Sequence, residues 1–174
     1  MSTVIVITDT SLLINFLVLD QTALLARLPD HRFVVTEHVR AEITDHYQDQ
    51  LHRLETAFTA GILEEIRVTD LAEMQLFAQL TATGLGIGEC SAIAVAAHRQ
   101  LALAIDDKRA VKKLKTVGLQ LTLHSTETIV VLLIQHALLT VQEADAMKQE
   151  WELHHRFRLP FDSFAERLSN TTQP

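Results

Sequence analysis

The chain opens on a short, continuous apolar run, Val4-Ile5-Val6-Ile7, built from β-branched residues and closed by Thr8-Asp9. A run of this kind with no polar alternation predicts a strand buried on both faces. Apolar residues at helical spacing follow in SLLINFLVL and TALLARL, with Thr10 and Ser11 as candidate caps. The pattern then repeats. FVVT at 33–36 leads into the helix-like EHVRAEI, and Ile62 to Val68 reads as a third strand. Asp70 with Glu73 resembles a capping box opening a helix through Leu80. The loop TGLGIG at 83–88 enters ECSAIAVAAHRQ, an alanine-rich helix whose small side chains permit close packing on a sheet. LALAI runs as a buried strand into Asp106-Asp107, KRAVKKLKTVG reads as a helix stopped by Gly118, and LQLTLH is a last strand. Alternating strands and helices on short connections predict a three-layer α/β/α fold with a parallel central sheet of about five strands.

Beyond residue 125 the strand pattern stops. Thr126 to Leu138, a capping box at Thr140 and Glu143, a helix through Trp151 and the segment RLPFDSFAERL all read as helical. The expected organisation is a sheet domain over 1–125 and a helical C-terminal extension over 126–174, packed on that domain or on a partner. No internal repeat, low-complexity tract or Pro/Ser linker interrupts it.

A chain of 174 residues that is 48% hydrophobic can bury one core and is too short for two ordinary domains. The same richness, with the tail segment IVVLLIQHALL, suggests surplus apolar surface and so a homodimer. The single cysteine, Cys90, rules out an intramolecular disulfide and a multi-Cys zinc site, which fits a reducing cytoplasm. MSTVIVITDT lacks the basic stretch and cleavage site of a signal peptide, and no apolar run reaches the roughly 18 residues of a membrane span, so no membrane association is expected. The net charge of −7 argues against a broadly basic nucleic-acid binder. It leaves room for an acidic site served by a local basic strip.

Such a site is what the strand ends suggest. In open parallel sheets, sites form at the carboxyl ends of strands. Asp9 stands at one such end and Asp106 and Asp107 at another, each directly after apolar residues. Any one aspartate there could simply cap the next helix, but the arrangement occurs twice. Glu42 lies in the helix after the second strand and Glu89 opens the alanine-rich helix behind the glycine loop. Either alone could be a solvated or capping glutamate. Close carboxylates repel by about 4 kcal/mol per pair at the effective dielectric of a protein surface, so such a cluster persists only when a cation or protons neutralise it. An oxygen-only donor set selects Mg²⁺ or Mn²⁺, which suits water activation and charge neutralisation at phosphorus.

The ordered motifs ITDTS, VTEHVRAEI, GLGIGECSAIAVA and LAIDDKRAV, from about residue 4 to 124, resemble those of PIN-domain proteins, particularly the VapC-like group whose third motif reads Gly-Glu. The resemblance implies a metal-dependent endoribonuclease that cleaves single-stranded RNA. It assigns Asp9, Glu42, Glu89 and the Asp106-Asp107 pair as the successive metal-binding and water-activating acids, with Thr10 or Ser11 in support. Strand-end position favours Asp106 as the fourth acid, and the two-residue step after the strand favours Asp107. An antitoxin protein partner is implied if the chain is the toxin of a toxin-antitoxin pair.

Lys108, Arg109, Lys112, Lys113 and Lys115 form the one dense basic stretch, directly after the acidic pair. Lys108 and Arg109 are the candidates to hold RNA phosphates, against the alternative of a solvated helix face. Cys90 with His98 or His124 could in principle form a thiol-nucleophile site, but no spacing ties them together. Two other readings also fit a doubly wound sheet with acidic strand ends: a Mg²⁺-binding phospho-receiver and a catalytically silent binding module of the same fold.

Overall fold

The computed structural model describes residues 2–169. The central strand β1 (Val4–Thr8) is flanked by β2 (His31–Thr36) and β4 (Ala102–Ala104), with β3 (Leu63–Ile66) and β5 (Leu123–His124) at the edges. The order is β3-β2-β1-β4-β5, and every pairing is parallel. This differs from the 2-1-3-4-5 order of flavodoxin-like phospho-receivers, so that reading falls on topology. Because β1 is central, its carboxyl end projects Asp9 into the middle of the sheet's rim. Val6, Ile7 and Thr8 are fully buried, which accounts for the unbroken apolar run.

The helix α1 (Thr10–Val18) begins at once, and its cap is Asp9 rather than Thr10 or Ser11. The Asp9 carboxylate accepts from the Ser11 N–H at 3.1 Å and from its hydroxyl at 2.7 Å. The chain continues through α2 (Ala23–Arg27) to β2, whose end residue Thr36 caps α3 (Glu37–His46) by accepting from the Val39 N–H. A 3-10 turn over Gln48–Gln50 then leads into α4 (Leu51–Thr59), an element the apolar pattern did not announce. Its short amphipathic face buries only Leu54 and Ala57. Arg40 of α3 bridges outward to Glu55 of α4 and Glu65 of β3.

The helices α5 (Leu71–Thr81) and α6 (Ile87–Arg99) form a close pair. The expected Asp70–Glu73 capping box opens α5, and the Glu73 carboxylate, itself buried, is matched by Arg99 at the end of α6. Residues 90–96 of α6 are buried all round, and their small side chains let the helix touch α3, α5 and three strands together. The helix α7 (Lys108–Thr116) buries Ala110 and Leu114 and turns its lysines outward. The strand β5 is shorter than the LQLTLH run suggested: it pairs only through Leu123 and His124, while Leu119 and Leu121 pack on the core outside the ladder.

The C-terminal segment forms α8 (Thr126–Gln135), α9 (Val141–His154) and α10 (Ala165–Ser169). Ile129, Val130, Leu133 and Trp151 enter the core cluster shared with the sheet domain. The Trp151 indole N–H donates to the Asn15 carbonyl at 2.8 Å, and its ring meets Phe16 edge-on at 6.4 Å. Asp145 then holds the segment before α10 by accepting from the Ser163 hydroxyl and the Phe164 N–H. Among the described residues no helix is long and apolar enough to cross a membrane.

Candidate active site

The carboxyl rim gathers the end of β1, the middle of α3, the first turn of α6 and the link from β4 to α7. Asp9 is almost completely buried, and burial pushes its carboxyl up to about 6 despite the two hydrogen bonds from Ser11. Its second oxygen, Oδ1, is buried with no hydrogen-bond partner among the described residues. An unpaired carboxylate oxygen away from water is costly, so this atom calls for a proton or a cation.

Glu42 lies one turn into α3. Burial raises its pKa, and the charge of Glu89 raises it further; His46, one turn on, and the Thr10 hydroxyl oppose the shift. A Cβ at residue 88 would overlap the Glu42 Oε2, so the site needs glycine there. Glu89, in the first turn of α6, accepts from the Gly86 N–H at 2.9 Å and so caps its own helix. Burial again raises its pKa first, with Asp9 and Asp107 adding their charges. Glu89 thus caps its helix and also stands within electrostatic reach of Asp9 and Asp107.

The two aspartates of the pair divide. Asp107 caps α7 through the Ala110 N–H at 2.9 Å and stands within electrostatic reach of Glu89. Asp106 accepts from the Thr126 N–H at 2.9 Å, from the Thr126 hydroxyl and from the Asn15 amide at 3.2 Å. Burial raises its pKa, opposed by those same bonds. Its backbone N–H donates to Ser11 Oγ at 3.0 Å, so one hydroxyl joins the ends of β1 and β4. Asp9, Glu42, Glu89 and Asp107 thus face one another in pairs, while Asp106 ties the rim to α1 and α8. Among the described residues no three acidic, His or Cys groups stand at the spacing that would hold an ion as they are placed.

Lys108 and Arg109 are exposed at the start of α7. Lys108 also borders a cleft of about 300 Å³ with Asp106, Phe157 and Arg158, so the tail brings a further cation to this edge. Asn15, Thr126, Gly88 and Arg158 were not singled out from sequence. Asn15 left a trace there, a polar residue at the helical interval from Ser11 on an otherwise apolar helix. Cys90 is fully buried and its thiol is pushed up to about 11, which leaves it uncharged and unfit as a nucleophile at neutral pH.

The family model "DUF3368: PIN domain" matches residues 5–172, so the chain belongs to the PIN-domain family, as its motifs suggested. The match includes the helices after β5. PIN domains are generally nucleases. No curated protein sequence matches. Among solved structures, the chain is similar to PAE2754 from Pyrobaculum aerophilum, at 14% identity and a TM-score of 0.52, covering 74% of this chain and 89% of that one. It is also similar to VapBC-1 from nontypeable Haemophilus influenzae (15% identity, TM-score 0.50) and to VapBC2 from Rickettsia felis bound to a promoter DNA fragment (16%, 0.50). Each of these two alignments covers 70% of this chain and 98% of the other. These likenesses establish the fold.

Proposed function

We propose that the protein is a Mg²⁺- or Mn²⁺-dependent endoribonuclease acting on single-stranded RNA, with Asp9, Glu42, Glu89 and Asp107 as its working carboxylates. The observation that carries this reading is the buried Asp9 carboxyl, one oxygen unpartnered, among three further acids whose only common chemistry is with a cation or protons. The donor set fits a hard divalent ion: all oxygen, partly buried, with no thiolate or imidazole in the group. Asp9, Glu89 and Asp107 would hold it, and Glu42 would orient and deprotonate the attacking water. When bound, the ion supplies charge neutralisation at phosphorus and a more acidic water.

The chain's own residues do the rest. Ser11 fixes the Asp9 rotamer, Thr10 sits beside Glu42, and Asp106 holds the β4 rim against Asn15 and Thr126. Lys108 and Arg109 offset phosphate charge beside an acidic centre. The two VapBC likenesses support a role as the toxin of a toxin-antitoxin pair, with an antitoxin as protein partner, and the single cysteine fits a reaction in the cytoplasm. The exposed Leu123 beside Val131 and Leu132 offers an apolar groove for a homodimer contact.

The test is cleavage of a fluorescein-labelled single-stranded RNA by the purified protein. Cleavage is expected with Mg²⁺ or Mn²⁺ and not with excess EDTA, nor with Asp9→Asn in either metal. Undiminished activity in EDTA, or no cleavage by the wild type in either metal, overturns the reading.

A further inference from the structure

Between α1, the end of α3 and the turn at 48–50 lies a cavity of about 540 Å³ that the carboxylate chemistry does not use. Its lining includes Asn15, His46, Tyr47, Gln48, Asp49 and His155. Two of these residues also belong to the rim. Asn15 donates to Asp106 at 3.2 Å, and the His46 charge acts on Glu42. The cavity therefore shares Asn15 with the Asp106 end of the rim and reaches Glu42 electrostatically through His46.

Its chemistry is that of a base pocket. Tyr47 keeps 39% of its surface exposed, a large ring left open at the mouth of a polar cavity. An exposed aromatic face is a stacking platform that any nucleobase can use. Around it stand amide and imidazole groups able to donate and accept in the plane of a base. Asp45 and Asp49 also line the cavity, and their charge disfavours a phosphate there while accepting well from base amino groups. The backbone strip on α7 and the base cavity lie on different elements, which lets one nucleotide engage both.

We propose that this cavity receives the nucleobase next to the scissile phosphate, with Tyr47 stacking on it and the side chains of Gln48 and Asp49 reading its edge. The proposal rests on the nuclease reading of the neighbouring carboxylates and adds to it the determinant of base preference. Single-stranded RNA is suited to this, because its bases can be splayed out and stacked on a side chain.

The experiment measures binding of fluorescein-labelled oligoadenylate, oligocytidylate and oligouridylate 10-mers, with cleavage of the same oligonucleotides in Mg²⁺ and in Mn²⁺ followed in parallel. The wild type should bind one homopolymer in preference to the others. Tyr47→Ala should weaken that binding on the order of tenfold, while Tyr47→Phe, which keeps the stacking face, should stay within about twofold of wild type. Gln48→Ala and Asp49→Asn should change the order of preference. All three positions are exposed, so melting temperatures should not move. Equal affinity of Tyr47→Ala and wild type for all three homopolymers, with cleavage intact, overturns the base pocket and leaves the nuclease reading standing. Binding that depends on Tyr47 without cleavage in either metal supports the pocket and overturns the nuclease reading. Loss of affinity equal in Tyr47→Ala and Tyr47→Phe places the dependence on the hydroxyl and overturns the stacking role.

Discussion

Glu42 occupies the space that a side chain on residue 88 would need: a Cβ there would overlap its Oε2 and crowd the Val39 methyl at 3.3 Å. Glycine at 88 is thus a condition for the carboxylate's position, not for the backbone, since this residue lies within the helix α6. Gly86, two residues earlier, differs, because a Cβ there would meet Glu89 Oε2 at an ordinary 3.6 Å.

This pair gives a matched prediction. Gly88→Ala should turn Glu42 away and lower RNA cleavage about tenfold to a hundredfold, the range seen when a supporting contact at a metal site is lost. The melting temperature should change little, because the displaced group is the end of a flexible side chain. Gly86→Ala should cleave within about threefold of wild type, its cap losing at most about 1 kcal/mol. Similar activities in the two variants would show that the Glu42 position is not critical.

The buried Asp9 makes folding stability depend on pH in a direction opposite to that of a paired carboxylate. Its folded pKa, about 6, lies above the unfolded value of 3.8, so the protonated form is favoured in the fold. The stability it allows is complete below pH about 4 and is lost as pH rises through about 6, on the order of 2–3 kcal/mol in all. Asp9→Asn removes that loss while keeping an acceptor for the α1 cap. In EDTA at pH 7.5 the variant should melt several degrees above wild type, and at pH 4 the two should coincide. Mn²⁺ should raise the wild-type melting temperature and leave the variant unchanged. A variant that melts below wild type in EDTA at pH 7.5 contradicts this account.

How far the site could be read from the chain differs from residue to residue. Strand ends were legible because apolar runs stop abruptly at Asp9 and Asp106, and burial on both faces leaves no alternation to mislead. Glu42 and Glu89 were given metal-site roles only through the resemblance, since local sequence cannot distinguish a capping glutamate from one in a cluster; Glu89 caps its helix and also lies within electrostatic reach of Asp9 and Asp107. What the pattern could not supply was side-chain direction at adjacent positions. Asp106 and Asp107 differ by one residue in register, and their division depends on Asn15 and Thr126, which arrive from elements 91 and 20 residues away. The helix α4 escaped notice for a related reason, as only two of its residues are buried.

That division is open to measurement. Asp107→Asn keeps an acceptor for the Ala110 N–H but removes a charge facing Glu89, so cleavage should fall by about a hundredfold or more with stability preserved. Asp106→Asn places an amide donor where Asn15 and Thr126 already donate. It should lower stability by about 1–2 kcal/mol and cleavage by about tenfold or less. Metal-dependent stabilisation should survive in Asp106→Asn and vanish in Asp107→Asn. The reverse pattern would make Asp106 the ligand.

The basic edge follows from a conflict between the substrate and the chain. A protein of net charge −7 must bring a polyanion to a rim of carboxylates, so cations near the cluster have to offset the local field. Lys108 and Arg109 are exposed at the start of α7, directly after Asp107, and Lys108 shares its cleft with Arg158 from the C-terminal segment. Lys112 and Lys115 continue outward along the same helix and lie farther from the rim. If the first two hold phosphates, changing both to Ala should reduce the slope of log affinity against log salt by roughly one to two units, since each lost contact to a single strand removes about 0.7. Adding Arg158→Ala should reduce it by roughly a further 0.7, whereas changing Lys112 and Lys115 together should leave it nearly unaltered. The Mn²⁺-induced rise in melting temperature should persist in all of these variants, because none of the residues supplies a carboxylate. Cleavage at the wild-type rate with an unchanged slope in the triple variant would reduce the strip to a solvated helix face.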